Sequence, residues 1–212
     1  MEAGDAAEQI LEIHDETGGE KNERFRSRTA LLIAFMAMLL AITSLGGGNA
    51  AEEIMNNNIE ASDTWAFYQA KTIRQTSNKL AADALETELQ IHRDTLTPEV
   101  RADLQRRIDE YGENVERYES EPDPQEPADP LKGEGRKELS ARARSFQAKR
   151  DRAQRQDPNF DLSEALFQIA IVLASVAIIS NSRLVLKVSV VTGVLAFLLM
   201  LNGYLLFLDL PF

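Results

Sequence analysis

Hydrophobic positions in this chain come in blocks. Residues 1 to 28 are polar, 29 to 46 almost purely apolar, 47 to 161 polar again, and 162 to 208 almost purely apolar. Thr29 to Gly46 is 18 residues without a charge. As a helix it reaches about 27 Å, just enough for a hydrocarbon core of roughly 30 Å. Leu162 to Ser180 and Val188 to Leu208 are two further spans, joined by the short stretch NSRLVLK, Asn181 to Lys187. So short a connection predicts an antiparallel helical hairpin. Thr29 to Gly46 is read as an uncleaved helix and not as a signal peptide, because Gly48 to Ala50 is a poor cleavage match. Asn202, Tyr204 and Phe207 are expected as interfacial anchors at the end of the third span.

Within the polar block the pattern is helical. GGGNA, Gly46 to Ala50, is expected to loosen or cap the first span. A helix then continues to about His92 with a drifting stripe through Ile54, Ala61, Trp65, Tyr68, Ile73, Leu80, Ala84 and Leu85. Thr97 and Pro98 form a natural N-cap and first helical position. After them Val100, Leu104, Ile108, Tyr111, Val115 and Tyr118 make the cleanest amphipathic stripe. EPDPQEPADP, Glu121 to Pro130, carries four prolines. It is expected as an extended, polyproline-like connector. A third helix is predicted over roughly Arg136 to Arg155, with QDPNFD, Gln156 to Asp161, turning the chain back toward the last two spans. The predicted fold is therefore all-α. It has three transmembrane helices and a helical, coiled-coil-like polar domain (47–161) inserted between the first and second. A polar acidic tail (1–28) precedes them.

Charge narrows the function classes. The formal net charge is −11, with 24 acids against 17 bases in residues 47 to 161 and eight against four in the tail. Nucleic-acid binding needs a basic surface, so no nucleic-acid partner is expected. With no Cys, thiol chemistry and disulfides are excluded. No charged residue lies mid-span, which counts against proton relays and voltage sensors. Ten acids lie between Asp109 and Glu134, and eight bases between Arg136 and Arg155. The two helices carrying them are expected to pair through ion contacts, a basic face on phospholipid being the alternative.

Candidate chemistry is sparse. Gly46 to Gly48 lacks the Lys and the context of a phosphate loop. Glu88, His92 and Asp94 are better read as a solvated helix end than as a metal site, and no catalytic carboxylate pair stands out. No catalytic, metal or cofactor-binding residue is assigned, and no cofactor is expected. What remains are contact surfaces. Ala30, Ala34, Ala37, Ala41 and Ser44 fall on one face of the first span, and Ala170, Ala174 and Ala177 on one face of the second. Small faces let helices approach closely in lipid. Trp65, Phe67, Tyr68, Lys71 and Arg74, in SDTWAFYQAKTIRQ, combine the aromatics and Arg that anchor interfaces.

An Ala-rich first span, then SLGGGNAAEE, then SDTWAFYQAKTIRQ, a charged helical middle and two closing spans resemble the bacterial membrane proteins of domain-of-unknown-function family 4337. The resemblance covers roughly residues 25 to 208. It implies the three-span layout and leaves the activity open. Taken together, the expectation is a non-enzymatic, multi-pass protein of the bacterial inner membrane. Its partners would be the bilayer and either further copies of itself or the other subunits of a membrane complex. Bases before the first span, with Arg183 and Lys187, favour a cytoplasmic N-terminus and a periplasmic polar domain; six bases from Arg142 to Arg155 argue the other way and make the count a tie, which the usual dominance of the first helix decides. The alternative is a homo-oligomeric pore, with Asn56, Asn57 and Asn58 ringing its exit.

Overall fold

A computed structural model describes the backbone from residue 3 to 208 and the side chains from 22 to 208. Among the described residues four helices follow one another: α1 (Ala3–Ile91), α2 (Pro98–Glu119), α3 (Arg136–Ser180) and α4 (Arg183–Leu205). Among the described residues there is no strand, only an isolated antiparallel bridge between Pro122 and Gly133. The fold is all-α. Three of the helices are long and apolar enough to cross a membrane. The chain divides into two compact units. One takes the residues up to Glu52 and those from Ala153 onward; the other is Glu53–Arg152.

In the apolar unit, α3 and α4 form the expected hairpin. Asn181, in left-handed backbone geometry, and the Ser182 N-cap make the turn. Met36 and Leu39 of α1 join Phe167, Ala170 and Ala174 of α3 and Ala196 and Met200 of α4 in one buried cluster. Two hydroxyls set the hairpin's register. Ser163 donates to the Ala196 carbonyl at 2.7 Å, and Ser189 donates back to the Ala170 carbonyl at 2.7 Å. Both serines are fully buried.

Two expectations about breaks in this unit are corrected. α1 runs unbroken through Gly46 to Gly48, so the glycines neither cap nor loosen it. The role of Gly46 and Gly47 is steric. Phe160 is buried against them, and a Cβ at Gly46 or at Gly203 of α4 would stand 2.7 Å from its ring; Gly48 has open space beside it. Likewise QDPNFD does not turn the chain, because α3 continues through Pro158. An interior proline costs about 3 kcal/mol. The apolar burial of Phe160, with the buried Asn159 satisfied by Asn202, works against that cost. Asn202 is also not an interfacial anchor. It is buried, donates to the Asn159 side chain at 2.8 Å and the Leu208 carbonyl at 3.0 Å, and accepts from the Leu208 N–H at 2.8 Å. Tyr204 packs edge-on to Phe160 and donates to the Ile42 carbonyl at 3.0 Å. Phe207 is exposed.

In the polar unit, α2 begins as its sequence predicts. Thr97 is extended and accepts from the Val100 N–H at 3.4 Å, with Pro98 first in the helix. Leu104 and Ile108 are its buried residues. The proline-rich segment is not an extended connector. It folds back, with Glu134 N–H on the Glu121 carbonyl at 2.9 Å and Gly133 at φ +111°. Asp123 and Asp129 each accept from the N–H two residues on, at 2.7 and 2.9 Å. Arg142 of α3 then clasps the loop by donating to the carbonyls of Leu131 (2.7 Å) and Gly133 (2.8 Å).

Candidate interaction surfaces

The polar unit is organised around one guanidinium. Arg136 opens α3. Its Nη2 donates to the Tyr68 hydroxyl at 2.9 Å and its Nε to Thr72 Oγ1 at 3.0 Å. Its Nη1 donates to the Gln75 side-chain carbonyl and pairs with Glu119 at 2.8 Å. The guanidinium also sits 5.1 Å from the Tyr68 ring centre. One side chain thus ties α1, α2 and α3 together. Gln75 adds donations to the Val115 carbonyl at 3.1 Å and Glu119 at 2.9 Å. Lys71 turns the other way. It pairs with Glu121 at 3.0 Å and lies 5.4 Å from the Tyr118 ring centre.

Glu138, two residues on in α3, is the acidic counterpart of Arg136. It is buried, and accepts from the Ser120 hydroxyl at 2.7 Å and the Glu121 N–H at 3.2 Å. Burial pushes its pKa up. The bonds from Ser120 and from the backbone, with Lys137 nearby, outweigh that and hold it below the ordinary glutamate value. Asp157 moves the opposite way. Burial, and then the like charge of Asp161, raise it above the ordinary aspartate value.

The residues expected as contacts separate into two groups. Ala170, Ala174 and Ala177 are fully buried inside the apolar unit. Ala30, Ala34, Ala37, Ala41 and Ser44 are all exposed, because α1 turns Met36, Leu39 and Thr43 inward instead. In the polar unit Tyr68 and Lys71 are consumed by the Arg136 and Glu121 networks. Trp65 is half-buried, edge-on to Tyr68 at 5.3 Å between centres. Phe67 and Arg74 are exposed. Asn57 donates to the Glu53 carbonyl at 2.8 Å, and Asn58 accepts from Arg150 at 3.4 Å. Glu119 of α2 is the acid that Arg136 of α3 meets, so pairing between these helices occurs at their junction. His92 is exposed, and its ring contacts the Glu88 carbonyl at 3.3 Å. Among the described residues no group of three metal-ligating side chains gathers. His14 lies outside the described side chains.

Arg136 and the serine pair were not singled out from the sequence. Arg136 is one base among eight in its segment, and nothing local marks it. The serines had a faint signal: they are polar positions inside segments otherwise apolar, spaced to face each other across a hairpin.

A model of the family described as Domain of unknown function (DUF4337) matches residues 25–206. The chain belongs to this family. The match takes in both units, from the end of the tail to the end of α4. The comparisons with curated proteins and with solved structures gave no match.

Proposed function

We propose that this member of the family is a non-enzymatic integral protein of the bacterial inner membrane that acts by assembly. It serves as a homo-oligomeric scaffold or as an accessory subunit of a larger membrane complex. Its N-terminus is cytoplasmic and its polar unit periplasmic, where α1 and α2 pair in a coiled-coil-like manner. The observation that carries the reading is the contrast between the two small-residue faces. The α3 face is used up within the chain, whereas Ala30, Ala34, Ala37, Ala41 and Ser44 of α1 face outward. In lipid a small face gains little from acyl chains and more from the close approach of another helix. In the polar unit, Phe67 and Arg74 are the expected residues left exposed for a second chain.

The test is the native mass of the detergent-extracted complex, with all its polypeptides identified, for the wild type and Ala37→Leu. A fixed copy number or a defined partner in the wild type, reduced at least several-fold by Ala37→Leu, supports the reading. A wild-type protein that runs as a lone monomer overturns it. So does a Leu variant that assembles unchanged.

A further inference from the structure

Two hollows lie end to end on the seam between α1 and α4. The upper one, of about 620 Å³, lies at the end of the apolar unit where the α3–α4 turn sits. Arg24 and Arg28 of α1 and Arg183 and Lys187 of α4 line it, with Phe25 and Leu32 at its floor. Each pair is spaced four apart, so each helix turns both its cations to the same side. Among the described residues no acid lines this basin; Glu23 lines the adjoining recess, with Arg24, Ser27 and Arg28. The lower hollow, of about 250 Å³, is a groove with apolar walls. Leu32, Phe35, Met36, Phe167, Gly193 and Val194 are among them. Leu32 belongs to both hollows.

We propose that this seam binds an anionic phospholipid, with its phosphodiester in the basic basin and an acyl chain in the groove. Charge and shape argue for the same occupant. Arg28, Arg183 and Lys187, cations from two helices, match a phosphate oxyanion, and Arg in particular presents a fork suited to it. From Arg28 to Leu39, another wall of the groove, the seam runs roughly 16 Å along the helix axis. That is about half of a ~30 Å hydrocarbon core, the depth of one leaflet. Gly193 lets the Met36 side chain lie against α4 at the groove wall: a Cβ there would meet Met36 Sδ at 3.0 Å. Cations at a helix end commonly reach for the interface without holding any particular lipid. The groove beneath these three is what makes a site of them. The inference rests on the reading that these helices cross a bilayer. It does not depend on self-assembly, so a monomeric protein would leave it standing.

The test uses the full chain, delipidated in detergent and titrated with phosphatidylglycerol or phosphatidylcholine of identical acyl chains. Bound lipid is counted by native mass spectrometry. The wild type is expected to retain phosphatidylglycerol about tenfold better. The double variant Arg28→Gln/Lys187→Gln should lose that preference. Val194→Trp fills the groove from its exposed side and should weaken both lipids while leaving helicity unchanged. Inorganic phosphate at millimolar concentration should not displace the lipid. Equal retention of the two lipids by the wild type overturns the proposal, whatever the variants do. A preference that survives the double variant, or a Val194→Trp protein that binds normally, also overturns it. Displacement by inorganic phosphate would reassign the basin to a free anion.

Discussion

Arg136 donates to the hydroxyl of Tyr68 at 2.9 Å while its guanidinium lies 5.1 Å from the centre of the same ring. The two residues are 68 positions apart, and their contact closes the polar unit. Arg136→Met removes that contact together with the bonds to Thr72, Gln75 and Glu119. A charged hydrogen bond contributes about 1.5–3 kcal/mol and a cation over a ring roughly 0.5–2. The variant should lose about 2–4 kcal/mol, given that such contributions are not additive. Arg136→Lys should recover only part, since an ammonium cannot reach four partners in one plane. Denaturant unfolding followed by Trp65 fluorescence measures both. Equal stability of the Met variant and the wild type would remove Arg136 from the centre of the unit.

Glu138 gives the polar unit a pH dependence of known sign. Its folded pKa lies below the ordinary value, so the ionised form is the one the fold favours. Its contribution is fully present above the ordinary glutamate range and is lost as the pH falls through the depressed folded value. Glu138→Gln should cost about 1–2 kcal/mol at neutral pH, and the gap from the wild type should close in acid. Melting curves of both proteins at a series of pH values decide it. A gap that is constant with pH would mean that the charge is irrelevant.

Phe160 occupies a notch that only glycines leave open. Gly203→Ala places a methyl group 2.7 Å from the ring if nothing moves. Overpacking of this kind costs about 1–3 kcal/mol. The same substitution on a Phe160→Leu background should cost clearly less, because the ring that it strikes is gone. Thermal denaturation in detergent of the two singles and the double provides the cycle. Additive losses would show that the two positions do not meet.

Asn202 is satisfied on both sides of its amide, by Asn159 and by Leu208. Asn202→Leu strands the buried Asn159 carbonyl oxygen and the Leu208 N–H. The expected loss is about 1–3 kcal/mol. It should be accompanied by faster hydrogen exchange at Leu208, which a purely volumetric effect would not produce.

Much of the fold was legible because it follows from local chemistry. The three apolar segments, the hairpin and the Thr97–Pro98 start of α2 are written in runs and spacings that need no distant partner. What was missed depends on distant partners. Gly46 to Gly48 and Pro158 are poor helix residues by propensity, by about 1 and 3 kcal/mol each, and read locally they break helices. At Gly46, Gly47 and Pro158 the distant partners are Phe160, which packs against the two glycines, and Asn202, which bonds to the buried Asn159. The proline-rich loop reads as extended until Arg142, more than ten residues beyond its first proline, is seen to hold its carbonyls. The contact residues were half legible. A small-residue stripe can be seen in each of the first two spans, but which one the chain spends on itself depends on how α1 is rotated in the bundle, and the stripe itself does not encode that rotation.

The paired serines of α3 and α4 have a consequence for how the hairpin is aligned. Each hydroxyl finds its carbonyl only when the two helices are aligned to within a fraction of a turn, since one turn is about 5.4 Å. Sliding either helix by that distance breaks both bonds between the helices and leaves each hydroxyl only a carbonyl of its own helix, the kind of bond that Ser175 makes to Ile171. The hairpin therefore carries its own alignment mark, independent of α1. The relative depth of α3 and α4 is thus marked by contacts of their own, without any from α1.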